Sequence, residues 1–235
     1  MPAGLDHDVQ MSTTHTGRPR LRPQRRPGIT GRDEILDAAS ELFTTLGYAG
    51  TSTRTIADSV GIRQASLYHY FKTKDDILCA VLSQTVTPTL AFIPSLQSAM
   101  PALSATEHLH ALAAFDGDQL LGGTWNLGAL YLLPELRADR LEPFWSDRER
   151  LRQHYLTLSR TVLQDTGVHP AAADLPFRLV ESLVNMWSVP HGPERCDLPM
   201  QVADAGVRVL GVLDAETPAL RERTRQVIEQ HTGPG

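Results

Sequence analysis

Lysine is almost missing from this chain: Lys72 and Lys74 stand against 20 arginines. The bias points to a GC-rich genome and carries no message about function. Cysteine is scarce as well. Cys79 and Cys196 lie far apart, which excludes a disulfide framework or a cysteine-based zinc site and leaves two free thiols as the expectation. No uninterrupted apolar run approaches the ~20 residues that a membrane-spanning helix needs. The opening MPAGLDHDVQ carries two aspartates and no apolar core, so no secretory signal is read there, and Met11 offers an alternative start. The expectation is a cytoplasmic protein with no membrane partner. Period-2 runs with turn chemistry are missing, which argues against a sheet. No nucleophile–base pair, Gly-rich phosphate loop or metal cluster marks an enzyme. His108 and His110 are two residues apart and do not share a helix face, and the other histidines are scattered. Neither a metal nor a cofactor is expected.

The 235 residues suffice for one or two domains with a real core. Their net charge of −5 is unevenly spread. Residues 1–80 hold 10 basic and 9 acidic side chains, and the remainder holds 12 and 18. The segment 29–80 alone carries 5 basic and 7 acidic residues. Overall charge therefore does not announce a nucleic-acid binder. Upstream, Arg18, Arg20, Arg22, Arg25 and Arg26 form a basic cluster within a stretch rich in Pro, Gly and Thr. Residues 1–28 read as a disordered basic arm.

From Gly31 a 3.6-residue period sets in. Ile35, Leu36, Ala38, Ala39, Leu42, Phe43 and Leu46 form one apolar face, and Gly47 ends that helix. Thr51-Ser52 caps a short second helix with Ile56, Ala57 and Val60 inward. Gly61 breaks the chain. A third helix runs over about 64–70, and a fourth starts near Thr73-Lys74 and is interrupted by Pro88 and Pro94. Further helices are predicted at about 104–121, 125–137, 140–166, 171–188, 198–213 and 217–230, with a loop at 190–197. The fold class is all-α, with an N-terminal three-helix unit and a larger helical domain, about nine or ten helices in all.

Three helices in about 40 residues with a glycine between the second and third fit a helix-turn-helix. The strings are more specific than the pattern: ILDAASELFTTLGY at 35–48, TSTRTIADSVGI at 51–62 and SLYHYFKTKDDI at 66–77. Over roughly residues 30–78 the chain resembles the TetR family of transcriptional regulators. The resemblance implies a DNA-binding domain at 29–80 and an effector-binding and dimerisation domain at 81–235. It implies double-stranded DNA as partner, on a near-palindromic operator bound by a homodimer, and a small-molecule effector. Carried over residue by residue, Gln64, Ala65 and Ser66 face base edges. Tyr68 and His69 reach the groove wall. Ser52 and Thr53 present helix N–H groups to a phosphate, and Lys74 grips the backbone. One departure stands out: Arg63 occupies the capping position where the family often has a small hydroxyl residue, so it either contacts DNA or stays in solvent. Tyr70 divides between core and phosphate contact.

Two apolar stripes fit the implied dimer interface. One carries Leu179, Leu183 and Trp187; the other carries Val202, Gly206, Val209 and Leu213. An ordinary internal core would explain them equally. Aromatic candidates for an effector pocket are Phe115, Trp125, Tyr131, Phe144 and Tyr155, although such stripes also build plain core. Arg148 interrupts an apolar stripe. Buried, it needs a carboxylate, either Asp116 or a ligand; a slight rotation of the helix would instead expose it. A ligand-released repressor is the function these readings favour. The alternatives are a helical enzyme, a regulator without effector, and an activator.

Overall fold

The computed structural model describes residues 26–99, 103–133, 141–187 and 193–232. Among the described residues all regular structure is helical. The head begins with α1 (Gly31–Thr45). Thr30 caps it in a capping box: its hydroxyl accepts from Asp33 N at 3.2 Å, and Asp33 accepts from Thr30 N at 2.9 Å. Of the predicted face, Ile35, Leu36, Ala38, Ala39 and Phe43 are buried, Leu42 is half-buried, and Leu46, at the end of the helix, is exposed. Gly47 takes a φ of 76° and opens a four-residue helix, α2 (Gly47–Gly50), which periodicity did not reveal. Ser52 caps α3 (Thr53–Val60) by accepting from Thr55 N at 3.0 Å. Gly61, with a φ of 78°, makes the left-handed turn into α4 (Gln64–Tyr70). Ile56, Ala57 and Leu67 are fully buried.

A second capping box, Thr73 with Asp76, opens α5 (Lys74–Ser83). The helix breaks at Gln84–Val86 and resumes as α6 (Thr87–Ala99). The predicted interruptions at the prolines shift accordingly. Pro88 is the second residue of α6, where a missing N–H costs nothing, and Pro94 sits inside the helix. By length and composition the stretch Lys74–Gln97, with a mean hydropathy of 1.6 over its most apolar window, is long and apolar enough to cross a membrane. Half of that window is packed inside the protein.

The body consists of α7 (Ala105–Leu121), α8 (Glu142–Thr166), α9 (Leu175–Ser182), α10 (Pro193–Arg208) and α11 (Thr217–Thr232). Helix α7 is its hub and packs on α6, α8, α9, α10 and α11. Gly117 allows the closest approach: a Cβ there would stand 2.8 Å from Leu183 and 3.1 Å from Pro199. Three predicted elements come out differently. The helix expected at 125–137 is a 3-10 turn, Leu127–Leu132, capped by Asn126, and 134–140 lie outside the described residues. Gly128 in that turn lies so near Val184 that a Cβ would overlap it. The helix expected at 171–188 is a 3-10 turn Pro170–Asp174, then α9, then a 3-10 turn Leu183–Met186. Part of the expected loop at 190–197 is helical, because α10 starts at Pro193, and α10 ends at Arg208, before Gly211 turns the chain at a φ of 93°.

Packing α7 against five helices buries two of its polar side chains. His110 is fully buried, with Nδ1 2.7 Å from Thr224 Oγ1 and Nε2 2.9 Å from Asp204 Oδ1. Asp204 also accepts from Arg221 at 2.6 Å. Burial holds the His110 imidazole below its usual pKa in spite of Asp204. Asp116 accepts from Thr89 Oγ1 at 2.9 Å and from Tyr155 OH at 2.9 Å. Burial pushes its carboxyl up to about 6, against the pull of those two donors. A carboxyl with a raised folded pKa binds its proton more tightly in the fold than in the unfolded chain. Its ionisation therefore removes stability as pH rises from the ordinary carboxylate range through about 6. Asp116→Asn should raise the thermal midpoint at neutral pH, by about 1–3 kcal/mol of stability, and the gain should shrink as pH falls towards about 4. Melting curves across that range check this. A gain independent of pH would mean that charge burial is not its source.

Candidate nucleic-acid interface

Helix α4 buries a single side chain, Leu67. Arg63, Gln64, Ala65, Tyr68, His69 and Tyr70 are exposed, and Ser66 is half-buried. The exposed Tyr70 resolves its ambiguity away from the core. Tyr68 and Tyr70 are 47% and 49% exposed, which is unusual for large rings without a partner. Arg63 makes no side-chain cap to α4, as its chemistry predicted. On the same surface Gln64 Nε2 donates to Thr53 Oγ1 at 2.9 Å, and Thr53 Oγ1 lies 3.3 Å from Tyr68 OH. The three side chains bridge the start of α3 to α4. They hold Gln64 in place while leaving its amide oxygen for another donor. Ser52 is exposed beside them, at the N-terminus of α3.

Lys74 is drawn further into the head than sequence alone indicated. Its Nζ donates to Tyr48 O at 2.8 Å and Thr51 O at 2.9 Å and lies 3.9 Å from the Tyr48 ring centroid. Tyr48 OH also bonds to Asp75. The clamp ties α2 to the start of α5. Sequence reasoning missed Tyr48, although it stands within the motif that carries the resemblance. The basic arm needs one correction. Arg26 is packed on the head, donating to Asp37 at 2.9 Å and Glu41 at 2.5 Å and reaching Ser59. Two acidic neighbours on α1 and a hydroxyl on α3 explain why it belongs to the fold. Arg18, Arg20, Arg22 and Arg25 lie outside the described residues.

In the body, Phe115, Phe144 and Tyr155 are buried core. Phe115 stacks on Phe92 with centroids 4.2 Å apart. These three rings line none of three cavities formed by described residues, of about 360, 470 and 230 Å³. Trp125 does line the first, together with Thr85, which bonds to Tyr131. Arg148 pairs with Glu181 of α9, a partner that carried no sequence signal, while Asp116 is taken by Thr89 and Tyr155. Its guanidinium lies over Tyr131, Trp145 and Phe177, at 5.8, 5.4 and 5.3 Å from the ring centroids. Of the interface candidates, Leu183 is buried inside the protomer, and Gly206 is buried against Pro176. Leu179, Trp187 and Val202 are half-buried, and Val209 and Leu213 are 37% and 68% exposed. No cluster of three metal-ligating side chains forms among the described residues.

A profile described as bacterial regulatory proteins of the tetR family matches residues 35–81. Over the whole fold, the crystal structure of Mycobacterium smegmatis AmtR aligns with a TM-score of 0.78 and 50% identity. The alignment covers 88% of this chain and 98% of that one. The chain belongs to the TetR family. It is a DNA-binding transcriptional regulator by that membership. A curated relative, the HTH-type transcriptional repressor KstR2 of Mycolicibacterium smegmatis, is 34% identical over 37% of this chain and 49% of its own length. In sequence the chain thus spans about half the length of this curated relative. The Bacillus subtilis FadR structure in complex with stearoyl-CoA shares the fold, with a TM-score of 0.53 and 22% identity over 76% of this chain and 97% of that one. Within this TetR-family head the Lys74 clamp generates a stability prediction. Lys74→Met should cost about 1–2 kcal/mol and lower the melting temperature. An unchanged melting curve would show that the clamp carries no stability.

Proposed function

We propose that the chain is a homodimeric repressor that binds a near-palindromic operator and leaves it when a small effector binds the helical body. The observation that carries the DNA half is α4, a helix with one buried side chain and a polar, aromatic surface pre-ordered by the Thr53–Gln64–Tyr68 bridge. Gln64, Ala65 and Ser66 read base edges in the major groove. Tyr68 and His69 meet the groove wall, and Arg63, at the turn, meets phosphate or base. Ser52 and Thr53 offer the N-terminus of α3 to a phosphate, and Lys74 spends its remaining donor on the backbone. The relative KstR2 is a transcriptional repressor, which supports repression. The stearoyl-CoA held by the FadR relative supports a small-molecule effector.

Dimerisation supplies the second reading head. Leu179, Trp187, Val202, Val209 and Leu213 of α9, α10 and their continuations are the side chains left for it, since Leu183 and Gly206 serve the protomer core. Two heads on one axis demand two half-sites related by the same symmetry.

Tyr68→Ala should cost about 1–3 kcal/mol of operator affinity if its hydroxyl or ring meets a base. Gel shift or anisotropy on the operator reads this, against a scrambled duplex. Equal loss on both duplexes would reassign Tyr68 to the phosphates. Deleting residues 1–25 while keeping Arg26 in place should lower affinity for all sequences and reduce the slope of log affinity against log salt. Equal slopes with and without the arm would make the arm a bystander.

A further inference from the structure

Helices α6, α7 and α8 meet at a small cavity. Helix α6 turns Ile93, Leu96 and Gln97 to it, α7 turns His108 and Leu112, and α8 turns His154, Thr157 and Leu158. On each helix these positions are three or four residues apart and share one face. The cavity holds about 230 Å³, below the ~300 Å³ at which sites for drug-sized ligands begin. It suits a single ring or a short chain. Ile93, Leu96 and Leu112 are buried and form an apolar floor. Gln97 and Thr157 are exposed at the rim, and the two histidines are half-buried. Neither imidazole has a hydrogen-bond partner among the described residues, and Nε2 of His108 is buried with none. A neutral imidazole carries one donor and one acceptor, so these rings leave hydrogen bonds unmade.

The walls supply no fixed charge. None of the eight lining residues is Asp, Glu, Lys or Arg, and α6 has no ionisable side chain over Thr87–Ala99. Neighbouring charges on α7 and α8 are engaged elsewhere. Glu107 accepts from Ser104 N and faces Arg223 of α11, Asp116 is held by Thr89 and Tyr155, and Arg150 pairs with Asp147. His231 of α11 lies against Phe92 and Phe115. An ammonium would be buried here without a counter-ion, and so would a carboxylate that came alone. The carboxylate differs because an imidazole can take up a proton beside it. One ring then donates a charge-assisted hydrogen bond, about twice as strong as a neutral one, and the second carboxyl oxygen is left for the other ring. The proton comes from solvent, and the occupied cavity stays neutral overall.

We infer that this cavity binds a short carboxylic acid, with its carboxyl on His108 and His154, its hydrocarbon part on Ile93, Leu96 and Leu112, and one proton taken up on binding. Calling such a ligand the effector rests on the proposed function; the binding itself rests on the cavity alone.

The full-length chain is titrated by calorimetry at pH 6.5 with hexanoate and benzoate, and with hexanol and hexylamine as uncharged and cationic counterparts. Saturable binding of a carboxylate is expected, tighter than that of the alcohol or the amine. Carboxylate affinity should fall as pH is raised to 8, while hexanol affinity stays level. At pH 8 the binding enthalpy should be less favourable in Tris than in phosphate, because each bound carboxylate draws a proton from the buffer. The double variant His108→Gln, His154→Gln should weaken carboxylate binding about tenfold or more. Thr157→Trp, at the exposed rim, should block the cavity to every probe. Melting curves establish that both variants are folded. Hexanol bound as tightly as hexanoate, or a carboxylate affinity independent of pH, overturns the carboxylic acid assignment. An unchanged carboxylate affinity in the double variant, or no carboxylate binding at millimolar concentration, overturns the site. No DNA enters these titrations. A chain that binds no operator would remove the proposed function and leave their result standing.

Discussion

Burying most of α7 is the constraint from which the helical body follows. Five helices pack around it, so its inward polar side chains, His110 and Asp116, find no water. An unsatisfied buried polar group costs stability comparable to a lost hydrogen bond. His110 and Asp116 must therefore find partners within the protein, and each recruits them from separate helices. His110 draws in Asp204 of α10 and Thr224 of α11, and through Asp204 it holds Arg221. Asp116 draws in Thr89 of α6 and Tyr155 of α8. The two networks fix which helices surround α7 and in what register. Apolar contacts alone, being non-directional, would tolerate sliding.

The DNA head is built on a different principle. Its helices are short, and short helices are marginal in isolation. Side-chain caps at Thr30, Ser52 and Thr73 satisfy their first N–H groups, and a small apolar cluster around Ile56 and Leu67 joins them. Lys74 and Arg26 then tie the periphery together, the first through backbone carbonyls and the second through two carboxylates. Because the core claims so little of α4, nearly the whole helix remains available to a partner. The head meets the body through a broken helix, through α5 packed on α8, and through a 3-10 turn resting on α1. A broken helix bends at lower cost than an intact one.

The head was legible in the sequence because its signals are local. Capping residues open α1, α3 and α5 at fixed offsets, Gly61 marks the left-handed turn into α4, and a period of 3.6 separates Ile56 and Leu67 from Gln64 and Tyr68. The all-α class, the buried face of α1, the inward Leu67 and the absence of a cap at Arg63 follow from those signals. The body was legible only in outline. Periodicity located α7, α8 and α11, but it joined a 3-10 turn, α9 and a second 3-10 turn into one helix at 171–188. It could not see that Gly128 is pressed against Val184.

Partnership between distant residues was decided by tertiary structure alone. Arg148, if buried, needed a carboxylate on grounds of charge; the sequence offered Asp116 or a ligand, and the fold gave it Glu181, brought near by the packing of α9. Phe115, Phe144 and Tyr155 are buried, and an aromatic stripe has the same pattern whether it faces a ligand or another helix. Leu183 and Gly206 shared a stripe with interface candidates and were consumed inside the protomer, while Leu213 was left 68% exposed. The sequence by itself determined where α1, α3, α4 and α5 start and which residues on α4 stay outside, because capping and periodicity act over a few residues. The packing of α7, the placement of Arg26 and the cavity among α6, α7 and α8 depend on contacts between residues tens of positions apart. Such contacts leave no spacing for a linear pattern to register.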